Sequence, residues 1–114
     1  MNITVKSYRE TRAIATALPC GVPGLAINPD ETRPALFAIT HVRSGLSVAF
    51  FTCPEAALAA AQDLGELLPG GWTLSADDIA DEISKGEVAD VISPWGGTFG
   101  YPAGDRSDVA VVAS

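Results

Sequence analysis

Cysteine and histidine are scarce in this chain of 114 residues. It has two cysteines and one histidine and lacks a C-x-x-C pair, so it cannot complete a Cys/His zinc site from its own residues. Two cysteines also do not make the disulfide framework of a small secreted protein. Charged residues make up only 18% of the chain and hydrophobic ones 47%, which excludes a disordered polyelectrolyte. We predict neither a metal nor a cofactor.

Long apolar runs are absent as well. No run approaches the roughly 18 residues that a membrane-spanning helix needs, and the N-terminal residues 1–6 lack the features of a signal peptide. The length suits one domain with one core. We therefore expect a cytoplasmic protein with a single domain over residues 1–114.

Basic residues are few and unevenly placed, within a net charge of -7. Residues 1–54 hold five basic and three acidic residues, whereas residues 55–114 hold two basic and eleven acidic ones, so the net charges are +2 and -9. An acidic half repels nucleic-acid phosphates and anionic membrane surfaces, which argues against direct binding to either. A protein with a basic surface is the favoured partner. The alternative is that the charge only keeps the protein soluble.

Three short segments near the N-terminus read as strands. Apolar and polar residues alternate at residues 3–5 and 14–18, and a short apolar piece follows at residues 25–27. Ser7 and Glu10 have the spacing of a capping box, which leaves a helix as the alternative for the second segment. Strand is favoured there because a turn-rich stretch with two prolines and two glycines follows.

The clearest β feature is a hairpin. The β-rich runs 35–42 and 46–51 flank a short loop in which Gly45 can supply a positive φ. Ile39 and His41 share one face of the first run by the period of two. Because both faces are fairly apolar, we expect the hairpin to lie centrally in its sheet.

Two helices follow. Residues 54–68 are rich in Ala and Leu and begin with a proline at the first helical position. A second helix is predicted near residues 75–85, since Ser75 and Asp78 have the spacing of a helix start. Gly86 either ends this helix or interrupts one that continues to about residue 92. The predicted fold is α+β: an antiparallel β-meander of three to four strands packed against one long helix and a second acidic helix.

The C-terminal part is rich in glycine and aromatic residues. Trp95, Phe99 and Tyr101 lie among glycines in a predicted loop, and aromatic residues on loops often anchor interfaces. Alternatively, they fold back over the core. The glycines do not match a phosphate-binding motif. For residues 109–112, a last strand and a frayed tail both remain open, and residues 103–114 are a candidate flexible end.

Four acidic residues follow one another closely on the predicted second helix: Asp77, Asp78, Asp81 and Glu82. The pairs Asp77/Asp81 and Asp78/Glu82 are four residues apart and so adjacent on the helix surface. A solvated face, a docking surface for a basic partner and a divalent cation site are the three interpretations. No loop of EF-hand type supports the third.

Two side chains are candidates for catalysis. His41 would need Ser44, Ser47 or Cys53 beside it and a carboxylate to orient it, and Cys53 lies where a helix dipole can activate a thiol. A surface or packing role for His41 and a small apolar role for Cys53 are the simpler interpretations. Whether Cys20 and Cys53 lie close together is not readable from the sequence. We expect a non-enzymatic protein.

Residues 39–48, 54–61 and 71–73 together resemble a pattern of small uncharacterised proteins of actinobacteria and their bacteriophages. The resemblance covers about residues 36–74 and brings no established activity. It implies a phage or mobile-element gene whose product modulates a host protein in the host cytoplasm, as an inhibitor or a nucleic-acid mimic. The predicted interface combines the four acids with the three aromatic residues. The alternatives are a self-associating protein, such as a homodimer, and a small Cys/His enzyme.

Overall fold

The computed structural model describes residues 2–6, 12–30 and 35–99, and these ranges hold six strands and three α-helices. The strands are β1 Asn2–Lys6, β2 Arg12–Thr16, β3 Leu18–Pro19, β4 Leu25–Pro29, β5 Phe37–His41 and β6 Ser47–Phe51. The helices are α1 Pro54–Leu67, α2 Ala76–Glu82 and α3 Lys85–Ile92. Single turns of 3₁₀ helix occupy Gly71–Thr73 and Ser93–Trp95.

The strands form the predicted antiparallel meander. β3, β4, β5 and β6 are neighbours in chain order, with β3 contributing only two residues, and β1 and β2 pair separately as a hairpin. The register places Leu25 opposite His41 and Phe37 opposite Phe51. The α+β prediction is confirmed, and the strand interpretation of the second N-terminal segment is confirmed by β2.

The core lies between this sheet and α1. One face of β5 presents Ile39, which is fully buried, to a helix stripe whose members recur at spacings of three and four. That buried stripe consists of Ala57, Ala60, Ala61 and Leu64. Trp72 extends the core below the helix and donates its indole N–H to the carbonyl oxygen of Leu64 at 2.8 Å. The small alanines let α1 approach the sheet closely.

The β5–β6 hairpin turns as the sequence predicts, since Gly45 has a φ of 77°. Its position in the sheet differs in part from the prediction. β5 is an interior strand, but β6 is the last strand of the sheet in the described part of the chain. Beyond it, the N–H of Phe50 donates to the carbonyl of Thr98 at 2.8 Å, and the N–H of Thr98 donates back at 3.1 Å. On this side of β6, pairing with the single residue Thr98 therefore takes the place of the neighbouring strand that we expected.

The helix starts match their local signals. Pro54 occupies the first turn of α1, and the Ser75 hydroxyl accepts the N–H of Asp78 at 3.2 Å at the start of α2. The predicted end of α2 near residue 85 is wrong, because Ile83 is extended and the helix stops at Glu82.

A separate helix α3 begins after this break. The Ser84 hydroxyl accepts the N–H of Glu87 at 3.1 Å, so Ser84-x-x-Glu87 is a second capping signal that the sequence already carried. Gly86 therefore lies inside α3 and does not end a helix. Ser7, Glu10, Tyr101 and the tail 103–114 fall outside the described residues, as do the predictions made for them.

Candidate functional site

A groove of about 470 Å³ opens between the β5–β6 hairpin and the helices α2 and α3. Leu46 and Val48 form its hairpin side, Trp72 contributes to its base, and Phe99 lines it as well. This volume lies in the range of small-molecule and peptide-anchoring pockets. Most of the lining side chains are apolar, so the groove offers a surface that removes apolar groups from water.

Helix α2 presents one narrow apolar face to the groove. Its members are spaced as i, i+3 and i+4 and are Ala76, Ile79 and Ala80, and Ile83, the extended residue directly after the helix, lines the groove beside them. Ile79 is buried, Ala76 and Ile83 are half-buried, and Ala80 is exposed. The residues of this face therefore become more exposed around the helix towards Ala80. Ala80 marks the open side of the groove, which we call the mouth.

The four predicted acids lie on the rest of the α2 surface, and all four are exposed. At about 100° per residue, Asp77 and Asp81 lie roughly 60° and 100° around the helix from Ala80, whereas Asp78 and Glu82 both lie roughly 160° from it. We call Asp77 and Asp81 the mouth pair, and Asp78 and Glu82 the far pair. Asp77 and Asp81 are therefore the two acids that lie nearest around the helix to Ala80. None of the four lines the groove itself.

Among the described residues that line the groove, Lys85 is the one with a charged side chain. It is the first residue of α3 and follows Ser84, whose side chain also lines the groove. The end of the groove at α3 therefore carries a positive charge, whereas the exposed surface of α2 carries negative ones. Sequence reasoning missed Lys85 as a site residue because its position depends on the break between α2 and α3.

The predicted aromatic anchors do not act as one cluster. Phe99 is 47% exposed and lines the groove, where the backbone pairing of Thr98 with β6 holds it. Trp95 is also exposed, but it donates its indole N–H to the Asp63 carboxylate of α1 at 2.9 Å and does not line the groove. Tyr101 lies outside the described residues. The predicted interface thus divides, because Phe99 lines the groove whereas Trp95 and the four acids do not.

His41 is buried and links the hairpin to the segment before α2. Its Nε2 lies 2.8 Å from the carbonyl oxygen of Leu74, so Nε2 carries the proton, and Nδ1 accepts the Ser44 hydroxyl at 2.7 Å. The Ser44 oxygen in turn accepts the N–H of Leu46 at 3.1 Å. Arg43 adds a second link through the carbonyl of Thr73 at 3.2 Å. These bonds fix the position of the β5–β6 hairpin relative to α2, and these two elements border the groove on opposite sides.

The chemistry of His41 is therefore mainly that of a packing residue. Catalysis by His41 would need a serine or cysteine beside it and an orienting carboxylate. Ser44 meets the first condition, but the ring is oriented by a backbone carbonyl, which supplies less charge stabilisation than a carboxylate. Ser44 is also tied into the turn of its own hairpin, the bonding that an ordinary turn serine makes.

The cysteines are free thiols in different surroundings. Cys20 is buried and its thiol donates to the Leu25 carbonyl at 3.3 Å, whereas Cys53 is half-buried at the N-cap of α1 and makes no capping bond there. Neither lines the groove. Within the described ranges, no three His, Cys, Asp or Glu side chains come together to hold a metal ion. In the same ranges, no helix combines the length and apolarity needed to cross a bilayer.

Comparisons with protein-family models, with curated proteins and with solved structures found no match. The chemistry of the groove therefore has to be derived from its own residues. The groove combines an apolar lining, exposed anchors at Leu46 and Phe99, and charges of both signs at different places along it. This arrangement suits the capture of apolar side chains from a larger molecule, because the groove is open along its length and its polar groups are mostly committed to internal bonds.

Proposed function

We propose that this protein is a non-enzymatic binding protein that docks a segment of another protein in the groove between the β5–β6 hairpin and α2. The observation that carries the proposal is the apolar groove itself. Two large apolar side chains of the groove are exposed to solvent, and exposed apolar surface that lines a groove commonly marks an interaction site. Leu46 and Phe99 are 43% and 47% exposed and line the groove from the hairpin and the C-terminal segment.

The resemblance to proteins of actinobacteria and their phages supplies the setting of the proposal. On that basis, the partner is a host protein with a basic surface, and docking inhibits or redirects it. Mimicry of nucleic-acid charge is one form of this mechanism, since exposed acids on α2 can occupy a site that normally holds phosphates. A second copy of this chain is the competing occupant.

A matched pair of leucine substitutions tests the groove. Leu46 lines it, whereas Leu18 is 48% exposed and does not. Truncating an interface leucine of this exposure should cost about 1–2 kcal/mol of binding free energy, or about fivefold to thirtyfold in affinity. Leu46→Ser should therefore lose partners that the unchanged protein and Leu18→Ser retain in quantitative co-purification from an actinobacterial lysate. Equal recovery with all three proteins would show that the groove is not the docking surface.

The contact between Ser44 and His41 favours a second candidate, a hydrolase. The 2.7 Å separation of the Ser44 hydroxyl from Nδ1 would let the ring take the proton as the serine oxygen attacks an acyl carbon. Hydrolysis of a chromogenic short-chain acyl ester tests it. The binding proposal expects Ser44→Ala to hydrolyse the ester at the same slow rate as the unchanged protein. A rate that falls by more than about a hundredfold in the variant would support the hydrolase instead.

A further inference from the structure

We infer that the docked segment is basic and amphipathic, with apolar side chains in the groove and lysine or arginine residues facing Asp77 and Asp81. This inference rests on the proposed function and names the chemistry of its partner. It depends on which flank of α2 borders the mouth of the groove, and only the folded structure decides that.

The burial order around α2 identifies this flank. Ile79 is buried and Ala80 is exposed, although both line the groove. A segment that covers Ala80 must therefore pass over the neighbouring strip of helix surface. That strip carries Asp77 and Asp81, while the far pair points roughly 160° away from Ala80. The mouth pair will be within reach of side chains on the docked segment, and the far pair will not.

The local charge balance favours a cationic occupant on this flank. No lysine or arginine occurs between Ser44 and Ser84, so neither α1 nor α2 carries a basic side chain of its own. The Arg43 guanidinium reaches the segment before α2, where it donates to the Thr73 carbonyl. Two carboxylates four residues apart on one helix repel each other. Covering them with an apolar or acidic segment would add desolvation or repulsion, whereas lysine or arginine there would offset the repulsion.

Lys85 limits where the basic residues of the docked segment can lie in the groove. Its side chain lines the end formed by α3, so cationic residues of the docked segment are disfavoured there. The charges therefore also set an orientation. Basic residues lie along α2, and a neutral or acidic residue lies near the start of α3.

Two model peptides and two double variants test the inference. The peptides have about 15 residues, long enough to form a helix, with leucine on one face and either lysine or glutamate on the other. The protein variants are Asp77→Asn with Asp81→Asn, and Asp78→Asn with Glu82→Gln. Both double variants remove two charges, and each removes one from the first turn of α2 and one from its end. They are therefore matched in net charge and in their effect on the helix dipole.

We expect the lysine peptide to bind and the glutamate peptide to bind at least tenfold more weakly in calorimetry at about 50 mM salt. The mouth-pair variant should lose about fivefold in affinity for the lysine peptide, and the far-pair variant less than twofold. Circular dichroism checks that both variants keep their helices. Equal losses in the two variants, or equal binding of the two peptides, would overturn the inference.

The Leu46→Ser variant distinguishes a failure of the inference that the docked segment is basic from a failure of the proposed function. If Leu46→Ser weakens peptide binding while the two double variants behave alike, the groove still binds and only the basic character of the partner is wrong. If Leu46→Ser leaves peptide binding unchanged, the groove is not the docking surface and both proposals fail. Sedimentation of the protein alone covers the remaining case, since a dimer that Leu46→Ser dissociates would make a second copy the occupant and overturn the inference.

Discussion

Replacing Gly97 with alanine should destabilise the protein and disturb the groove together. A methyl group on Gly97 would lie 2.5 Å from an aromatic carbon of Phe51 and 2.9 Å from the Cβ of Ile92. Both neighbours are buried and cannot move into solvent. Ordinary carbon contacts are about 3.5–4.0 Å, so the chain at Gly97 or the ring of Phe51 must shift by about 1 Å. Gly97 also donates its N–H to the carbonyl of Ile92 at 3.0 Å, which resists movement of the chain.

Overpacking of this kind costs about 1–3 kcal/mol, and two buried neighbours place Gly97→Ala near the upper end. We expect a loss of about 2–3 kcal/mol in the free energy of unfolding, or about 10 °C in the melting temperature. The following residues, Thr98 and Phe99, would move with the backbone. Peptide binding in the groove should therefore weaken as well, because Phe99 lines it.

Gly86→Ala is the matched control. Its new methyl group would have only the Ser84 hydroxyl oxygen within 4 Å, at 3.7 Å, and the site lies within α3. Alanine should stabilise the protein there by about 0.5 kcal/mol, because it restricts the unfolded chain and favours helix. Urea unfolding followed by tryptophan fluorescence and circular dichroism measures both variants. Equal stability of Gly97→Ala and the unchanged protein, within about 0.5 kcal/mol, would refute the packing argument.

Three further substitutions probe the frame around the groove. Trp72→Phe removes the indole donor to the Leu64 carbonyl and should lower the free energy of unfolding in urea by about 1–2 kcal/mol. A loss smaller than the experimental error would show that this hydrogen bond contributes nothing to stability. Thr40→Val removes the hydroxyl donor that lies 2.6 Å from the buried Asn28 side-chain oxygen, and thermal unfolding should show a loss of about 1–3 kcal/mol. Ser84→Ala removes the cap of α3 and should cost about 1 kcal/mol, with reduced helical circular dichroism; unchanged helicity would contradict the capping role.

Local signals made much of the fold predictable. Pro54 at the start of α1, Ser75 at the start of α2 and Gly45 in the hairpin each act within about four residues of chain. Such interactions are visible in a single stretch of sequence. The end of α2 was misplaced by about three residues, and Gly86, for which both an end and an interruption of the helix had been left open, lies inside α3. Ser84 caps a new helix two residues earlier, and Ile83 becomes extended between the two helices.

The candidate site was predictable only in pieces. Helical spacing shows that the four acids form two pairs, but it does not show which pair lies beside a groove. That distinction requires the position of the hairpin, and the bond that fixes it joins His41 to Leu74, 33 residues away in the chain. Phe99 and Trp95 looked equivalent in sequence, yet one lines the groove and the other bonds to α1.

The sequence by itself determined the α+β class, the hairpin, the starts of the helices and the concentration of negative charge in the second half of the chain. These properties follow from backbone preferences, hydrophobic periodicity and a count of charges, all of which act locally or by composition. The tertiary structure alone decided that Leu46, Ala80 and Phe99 meet in one groove. The physical reason is that a groove is formed by contacts between distant segments, which depend on how the β5–β6 hairpin, α2 and the Thr98 segment pack together.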